Sequence, residues 1–188
     1  MRYHNITKDD MLNGDGLRVV LWVAGCSHGC KNCQNPCTWD PNGGLPFGEA
    51  EKKEIFEQLD QDYIDGITFS GGDPLHEANQ DDILSLIKEI REKYPKKTIW
   101  LYSGYELQEI FNINKADLEM IRSGVAIADL KARKGMETRA EILNLIDTFV
   151  DGPFVEGLKD NTEKCKWRGS TNQWIYDVVN HNFIGRKN

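Results

Sequence analysis

The sequence predicts an α/β fold with a mostly parallel sheet. Short runs rich in β-branched and aromatic residues alternate along the chain with longer segments of helical periodicity. Such alternation implies parallel strands that are joined by right-handed helical crossovers. The length of 188 residues suits a single domain over 1–188 and is sufficient to bury a sizeable core.

The first predicted strand and the loop after it are the clearest features near the N-terminus. Residues 1–16 are polar and end in the turn signal N-G-D-G, and the run R-V-V-L-W-V-A then predicts a strand at 18–24. Prolines and glycines at 35–48 predict a long irregular loop. We expect Trp39 and Phe47 to fix this loop to the body of the protein.

Alternating elements follow along the rest of the chain. The stretch 125–130 is compatible with a strand or with a helix. Elsewhere the pattern predicts, in chain order, a helix at 49–59, a strand at 64–69, a helix at 81–94, a strand at 98–102, a helix that begins within 105–111, helices at 116–121 and 138–145, and strands at 146–150 and 174–179.

Charge and cysteine usage narrow the function classes. The formal charge of −7, from 30 acidic and 23 basic residues, argues against a nucleic-acid-binding surface. No apolar run reaches the length of a membrane span, and the N-terminus lacks a signal-peptide pattern. Four of the five cysteines lie within Cys26–Cys37, which is not the pattern of a secreted disulfide framework. We therefore expect a cytoplasmic protein that binds neither nucleic acid nor membrane.

A loop that follows the first strand carries three of these cysteines. It reads G-C-S-H-G-C-K-N-C-Q-N, and Cys26, Cys30 and Cys33 have the spacing C-x3-C-x2-C. A structural zinc ion takes four ligands, and an iron–sulfur cluster normally takes four cysteines. A cluster held by three thiolates would leave one iron open, which is where chemistry occurs. The alternative is a zinc site in which His28 or Cys37 supplies a fourth ligand.

Three further segments follow predicted strands. They are S-G-G-D-P at 70–74, Y-S-G-Y at 102–105 and D-G-P-F at 151–154. Ligands of parallel α/β folds bind beyond the carboxyl ends of the strands, so these segments and the cysteine loop should converge. Adjacent glycines let the backbone approach a ligand closely, and Asp73 adds an acceptor for a cationic amine.

The cysteine motif resembles the signature of the radical S-adenosylmethionine (SAM) enzymes. That resemblance implies a 4Fe-4S cluster with Cys26, Cys30 and Cys33 as its metal ligands. The open iron would chelate the amino and carboxylate groups of SAM. The chemistry would then be carried by the cluster and the cosubstrate, so no side chain is expected to act as a general acid or base.

The glycine-rich segment resembles the second signature of the same superfamily, which holds the amino group of SAM. The resemblance assigns cofactor binding to Ser70, Gly71, Gly72 and Asp73, although most members have glutamate at the last position. Many members also carry an aromatic residue before the third cysteine, against which the adenine packs.

Asparagine occupies that aromatic position in this chain. The adenine contact would therefore fall to the backbone of Asn32, Cys33 and Gln34, which completes the set of expected cofactor-binding residues.

A wider set of motifs narrows the resemblance to one family within the superfamily. N-G-D-G-L-R, the cysteine loop, S-G-G-D-P-L-H, Y-S-G-Y, V-D-G-P-F and W-R-G-S-T-N-Q are together similar to the activating proteins of anaerobic (class III) ribonucleotide reductase. The resemblance implies that a flavodoxin-like donor reduces the cluster and that SAM is cleaved to methionine and a 5′-deoxyadenosyl radical. This radical would take a hydrogen from the α-carbon of a glycine in the large reductase subunit.

The short chain implies an incomplete, open (β/α) barrel whose cleft admits a loop of a partner protein. Trp167, Arg168 and Asn172 in the W-R-G-S-T-N-Q tail are candidates for docking that partner or closing the site. The alternative is that Trp167 packs in the core and Arg168 forms an internal salt bridge. The region 115–146 exceeds its length in the shortest family members, and we interpret the excess as a surface excursion.

Two other functions fit parts of the sequence. The first is an activase of another glycyl-radical enzyme of the formate-lyase type, against which the W-R-G-S-T-N-Q tail argues. The second is a zinc-stabilised interaction module.

Overall fold

In the part of the chain that the structure describes, an eight-stranded sheet packs with five helices. The computed structural model describes residues 1–125, 137–160, 162 and 166–186. The strands are β1 (Arg2–Asp10), β2 (Arg18–Val23), β3 (Leu45–Pro46), β4 (Gly66–Gly71), β5 (Thr98–Tyr102), β6 (Thr148–Asp151), β7 (Trp174–Val179) and β8 (Asn182–Gly185). The helices are α1 (Glu49–Leu59), α2 (Gln80–Lys93), α3 (Leu107–Phe111), α4 (Lys115–Arg122) and α5 (Glu137–Leu143), and 3₁₀ turns lie at Pro36–Thr38 and Glu156–Leu158.

The strands lie in the order β3-β1-β2-β4-β5-β6-β7-β8, so the sheet is open with edges at β3 and β8. The four central strands β2, β4, β5 and β6 are parallel, as helical crossovers require. Antiparallel pairs extend this core on both sides. The α/β prediction is confirmed, but the prediction of a mostly parallel sheet is wrong, because four of the seven strand pairs are antiparallel and the parallel part is limited to the centre. Barrel curvature stays a prediction.

The two faces of the sheet differ in their packing. Alternate residues of β2, such as Val19 and Leu21, join a large apolar core with the buried faces of all five helices. The opposite face holds a smaller cluster of Trp100, Val150 and Ile175. The helices therefore pack on one face of the sheet, and the other face is available for a site.

The buried guanidinium of Arg18 packs on that second face of the sheet. Arg18 is fully buried and donates to Thr68 Oγ1 at 2.8 Å, to Ile67 O at 2.7 Å and to Thr98 O at 2.9 Å. Its guanidinium also lies 5.6 Å from the centroid of the Trp100 ring. Burial lowers the pKa of Arg18 to about 10, so it is still charged at neutral pH.

Every strand and helix that the sequence predicts outside 125–130 is present, with ends shifted by at most two residues. Of the ambiguous stretch 125–130, only Val125 lies within the described residues. The irregular loop at 35–48 is also present, apart from a 3₁₀ turn and the two-residue β3. Phe47 fixes it by packing edge-on against Tyr3 at 5.9 Å, whereas the same expectation is wrong for Trp39, which is 36% exposed.

Three strands were not predicted, and β1 is the most instructive of them. Its sequence R-Y-H-N-I-T-K-D-D lacks an alternating apolar pattern. A register shift between Tyr3 and Asn5 explains this, because the extra residue lets Tyr3 and Ile6 pack on the same core.

Among the described residues, no helix is long and apolar enough to cross a lipid bilayer.

The end of β6 depends on one buried carboxylate. Asp151 is 1% exposed, and its two oxygens accept from the backbone N–H groups of Leu107 and Trp174, each at 3.0 Å. It therefore joins the start of α3 to the start of β7. Desolvation by burial raises the pKa of Asp151 to about 6, despite these two bonds.

This raised pKa predicts a pH-dependent stability. The folded state holds a proton on Asp151 that the unfolded chain releases near pH 4, so this contribution is present below pH 4 and is lost as the pH rises to about 6. Relative to Asp151→Asn, which does not titrate, the wild-type apoprotein should lose about 3 kcal/mol of unfolding free energy over that interval. Urea unfolding of both proteins between pH 4 and pH 7.5 measures the difference. Parallel pH profiles would contradict the assignment.

Candidate iron–sulfur and cofactor site

A cleft of about 340 Å³ opens where the parallel strands end. The cysteine loop lines it together with 70–72 at the end of β4, 102–104 at the end of β5 and 152–154 after β6. These are the segments that the sequence predicts to converge, and the structure brings them together. The volume lies within the range of roughly 300–1,000 Å³ that is usual for small-molecule sites.

The three predicted metal ligands lie in this cleft. Cys26, Cys30 and Cys33 are free, partly exposed and all contribute to the lining. Burial raises the pKa of Cys26 to about 11, so its thiol would need a bound metal to ionise at neutral pH. Three free thiols on one wall of a cleft are a donor set that fits an iron–sulfur cluster.

Two other observations concern metal ligation. Within the part of the chain that the structure describes, no three His, Cys, Asp or Glu side chains are grouped to hold a single metal ion. Cys37 is exposed, and His28 Nε2 is engaged with Asp73 at 2.6 Å. Among the described residues, neither candidate for a fourth zinc ligand is thus grouped with the three cysteines around one ion position. Cys165 lies outside the described residues.

Backbone hydrogen bonds hold the start of the cysteine loop between two neighbouring segments. The N–H groups of Gly25 and Cys26 donate to Thr38 O at 2.7 Å and Trp39 O at 3.0 Å, on the side of the 3₁₀ turn. On the side of β4, Asp73 N donates to Gly25 O at 2.7 Å. The loop is therefore attached to the glycine-rich segment before any ligand binds.

The glycine pair serves this attachment. Gly71 has a φ of +104°, which side chains rarely adopt. A Cβ on Gly72 would lie 2.5 Å from Gly25 O and 2.9 Å from Thr38 O. The sequence suggests that these glycines admit a ligand, and the structure adds that Gly72 must first admit the chain's own cysteine loop.

Asp73 is the centre of a hydrogen-bond network within the protein. It is 1% exposed, and its carboxylate is bonded to His28 Nε2 at 2.6 Å and to Ser103 Oγ at 2.9 and 3.0 Å. The N–H groups of Gly104 and Leu75 donate to it at 3.1 and 2.8 Å. The bond to Asp73 raises the pKa of His28. The predicted contact of Asp73 with a cosubstrate amine stays a prediction, and its bracing role was not foreseen.

Asn79 is a second residue that the sequence interpretation missed. It is 1% exposed, and its Nδ2 donates to Ala24 O at 2.8 Å and to Asp73 O at 3.0 Å. The side chain thus joins the ends of β2 and β4 under the cysteine loop. Its place just before α2 suggests a helix cap, but it makes no capping bond there, so the sequence signal points to the wrong role.

The residues around the third cysteine follow the loop rather than the strands. Asn32 has a φ of +54°, which asparagine tolerates better than most residues. Its amide donates to the Glu156 carboxylate, and Lys31 Nζ lies 3.5 Å from the same carboxylate. Gln34 lines the cleft. The predicted adenine contact with the backbone at 32–34 stays a prediction.

The W-R-G-S-T-N-Q tail mainly fixes the loop after β6 through hydrogen bonds to its backbone. Gln173 Nε2 donates to Gly152 O at 2.8 Å, and Asn172 Nδ2 donates to Pro153 O at 2.9 Å. Val155 N donates to Ser170 Oγ at 3.1 Å. The sequence left the role of Asn172 open between docking and structure, and this contact is structural.

Two tail residues face the cleft. Trp167 and Arg168 both line it, and Trp167 also packs edge-on against Trp100 at 6.2 Å. Arg168 Nη1 donates to Gln173 O at 2.6 Å. Each therefore has an internal contact and a position from which it could meet a ligand or partner.

The close approach at Gly72 predicts a stability difference between two glycines. Gly72→Ala should lower the free energy of unfolding of the apoprotein by about 1–3 kcal/mol, because its Cβ overlaps two backbone oxygens. Gly157→Ala is the matched control, since nothing lies within 4 Å of its added Cβ, and it should change stability by less than about 0.5 kcal/mol. Urea unfolding measures the stability of both variants. Equal losses of unfolding free energy would contradict the close approach of Gly72 to Gly25 O and Thr38 O.

Comparison with known proteins places the chain in a family. A sequence-family profile described as "4Fe-4S single cluster domain" matches residues 12–176. Several similar proteins carry the name anaerobic ribonucleoside-triphosphate reductase-activating protein. That of Escherichia coli (strain K12) is 38% identical over 180 residues, which are 95% of this chain and 99% of the relative.

Two further relatives of that name have similar coverage. The protein of Enterobacteria phage T4 is 34% identical over 94% of each chain. That of Pasteurella multocida (strain Pm70) is 34% identical over 94% of this chain and 97% of its own. The chain therefore belongs to the 4Fe-4S single cluster domain family and to the family of anaerobic ribonucleoside-triphosphate reductase-activating proteins.

Proposed function

We propose that this protein activates anaerobic ribonucleotide reductase by generating a glycyl radical on the large reductase subunit. In this proposal Cys26, Cys30 and Cys33 hold one 4Fe-4S cluster, and SAM binds beside it as cosubstrate. The observation that carries the proposal is the position of three free thiols and the glycine-rich segment on the walls of one cleft. The names and near-complete overlap of the relatives support the choice of partner.

The cluster would supply one electron for cleavage of the S–C5′ bond of SAM, giving methionine and the 5′-deoxyadenosyl radical that takes a hydrogen atom from glycine. The chain's own residues bind, orient and shield these reactants. Ser70, Gly71 and Gly72 line the cleft, and we expect the amino-acid part of SAM to bind against them. Cys33 and Gln34 also line the cleft, and we expect the adenine beside them.

The mouth of the cleft suits a protein substrate. Leu12 and Trp39 contribute to the lining, yet they are 80% and 36% exposed. Exposed apolar side chains beside a cleft can contribute contacts to a bound protein. We assign this rim to the glycine loop of the reductase, and we expect a flavodoxin-like protein to deliver the electron.

The two alternative functions are less well supported. The relatives at 34–38% identity are named for the ribonucleotide reductase system and not for a formate-lyase type of enzyme. A zinc-stabilised module would need His28 or Cys37 as a fourth ligand. Within the described residues, neither is grouped with the three cysteines around one ion position.

Substitution of the cysteines tests the ligand set. Cys26→Ala, Cys30→Ala and Cys33→Ala should each lose the cluster and all formation of 5′-deoxyadenosine, because each removes one of three ligands. Cys37→Ala is the matched control from the same region and should retain both. Iron and sulfide analysis after anaerobic reconstitution, with chromatography of the products, provides the measurement. If Cys37→Ala also loses the cluster, Cys37 is a fourth ligand, and no iron of the cluster is left open for SAM.

A radical assay tests the choice of partner. Mixing the reconstituted protein with SAM, a reductant and the large subunit of anaerobic ribonucleotide reductase should produce the electron paramagnetic resonance signal of a glycyl radical. The same mixture with a formate-lyase type of enzyme should produce none. A signal with the second partner alone would reassign the function while leaving the cofactor chemistry intact.

A further inference from the structure

His28 occupies a fitted position between two other segments of the site. Its Nε2 lies 2.6 Å from Asp73 Oδ2, and its ring packs edge-on against Tyr105 with centroids 4.8 Å apart. The side chain is only 18% exposed. This histidine, which lies between Cys26 and Cys30 in the sequence, thus lines the cleft and contacts the segments at the ends of β4 and β5.

Gly104 provides the space for this ring. A Cβ built on Gly104 would lie 2.3 Å from His28 Cδ2, which is closer than real Cβ contacts come. No positive φ is recorded at Gly104, so the backbone conformation itself does not demand glycine there. The requirement for glycine at this position comes from the His28 ring.

The carboxylate that receives His28 is itself held firmly. Asp73 is buried, and it is also bonded to Ser103 Oγ and to the N–H groups of Gly104 and Leu75. His28 therefore attaches the cysteine loop to a group that two other segments already fix.

The same loop is also attached near its third cysteine, where Lys31 and Asn32 contact Glu156. Lys31 and Glu156 have side chains 85% and 44% exposed, and surface ion pairs of this kind contribute little to stability. Of these two side-chain attachments the interior contact of His28 is the stronger, and both add to the backbone hydrogen bonds at the start of the loop.

We propose that His28 is a positioning residue, whose bond to Asp73 fixes the cysteine loop against the glycine-rich segment and so sets the cluster where SAM can reach both. This inference rests on the proposed function. It assigns no ligand role to His28, which in the described part of the chain is not grouped with two other His, Cys, Asp or Glu side chains around a single ion position.

The test compares variants at both sides of the contact. His28→Ala should keep the iron content of wild type, because the three cysteines remain, but should raise the Kd for SAM about tenfold by releasing the loop. His28→Gln should bind SAM within about threefold of wild type, because its amide can donate to the same carboxylate. His181→Ala, at an exposed histidine, is the control and should behave as wild type.

Gly104 makes the test specific. Gly104→Ala should weaken SAM binding about tenfold in the wild-type background by displacing the His28 ring, and it should have no further effect in His28→Ala. The electron paramagnetic resonance spectrum of the reduced cluster should respond to added SAM in wild type and His28→Gln. The response should be reduced in His28→Ala.

A second measurement is independent of the cofactors. In urea unfolding of the apoprotein, His28→Ala should lower the midpoint by about 1 M. Adding Gly104→Ala to the His28→Ala variant should leave this midpoint unchanged. Equal SAM affinity and equal spectra in wild type and His28→Ala would overturn the proposal. Loss of the cluster in both His28→Ala and His28→Gln would also overturn it, because His28 would then be a ligand. If the loaded wild-type protein binds no SAM, the proposed function fails, while the urea measurement still tests the contact.

Discussion

The buried carboxylate of Asp73 is the interaction on which the site depends. A carboxylate taken out of water is costly unless its oxygens are hydrogen-bonded, and here the donors come from the cysteine loop, from Ser103 and Gly104, and from Leu75. Satisfying one side chain thus fixes the ends of β2, β4 and β5 relative to one another. The cleft wall is set by this requirement before a ligand contributes anything.

The site is built mainly from backbone, and its side chains act chiefly as braces. Gly25 and Gly72 approach each other so closely that a Cβ on Gly72 would lie 2.5 Å from Gly25 O, and Asp73 N donates to the same oxygen at 2.7 Å. Asn79 binds two carbonyl oxygens beneath this contact, and Gln173 binds another beneath the loop after β6. Such a scaffold leaves the three thiols as the chemically distinctive side chains of the wall.

The sequence predicted the elements and motifs whose signals are local. The parallel strands, the helices and the convergence of the loops follow from periodicity and from the rule that strand ends share an edge. The strand β1 was missed because a bulge interrupts its alternation, so Tyr3 and Ile6 do not follow a period of two.

Roles that depend on distant partners were harder to predict. Asn79 has the sequence context of a helix cap, and only the folded chain brings Ala24 O within its reach. Asp73 was interpreted through a ligand, because nothing in its neighbourhood along the chain indicates His28 or Ser103 as donors. Asn172 could not be assigned for the same reason, since Pro153 lies 19 positions away.

The hydrogen bonds from the tail to the loop after β6 have a consequence for how this loop can evolve. Ser170, Asn172 and Gln173 grip this loop through its backbone groups at 152, 153 and 155 rather than through its side chains. The residues that fix the conformation of the loop therefore lie some twenty positions downstream of the loop itself. Side chains on its outer surface are free to drift and to adapt to a new docking partner, whereas the distant motif that dictates the shape is not.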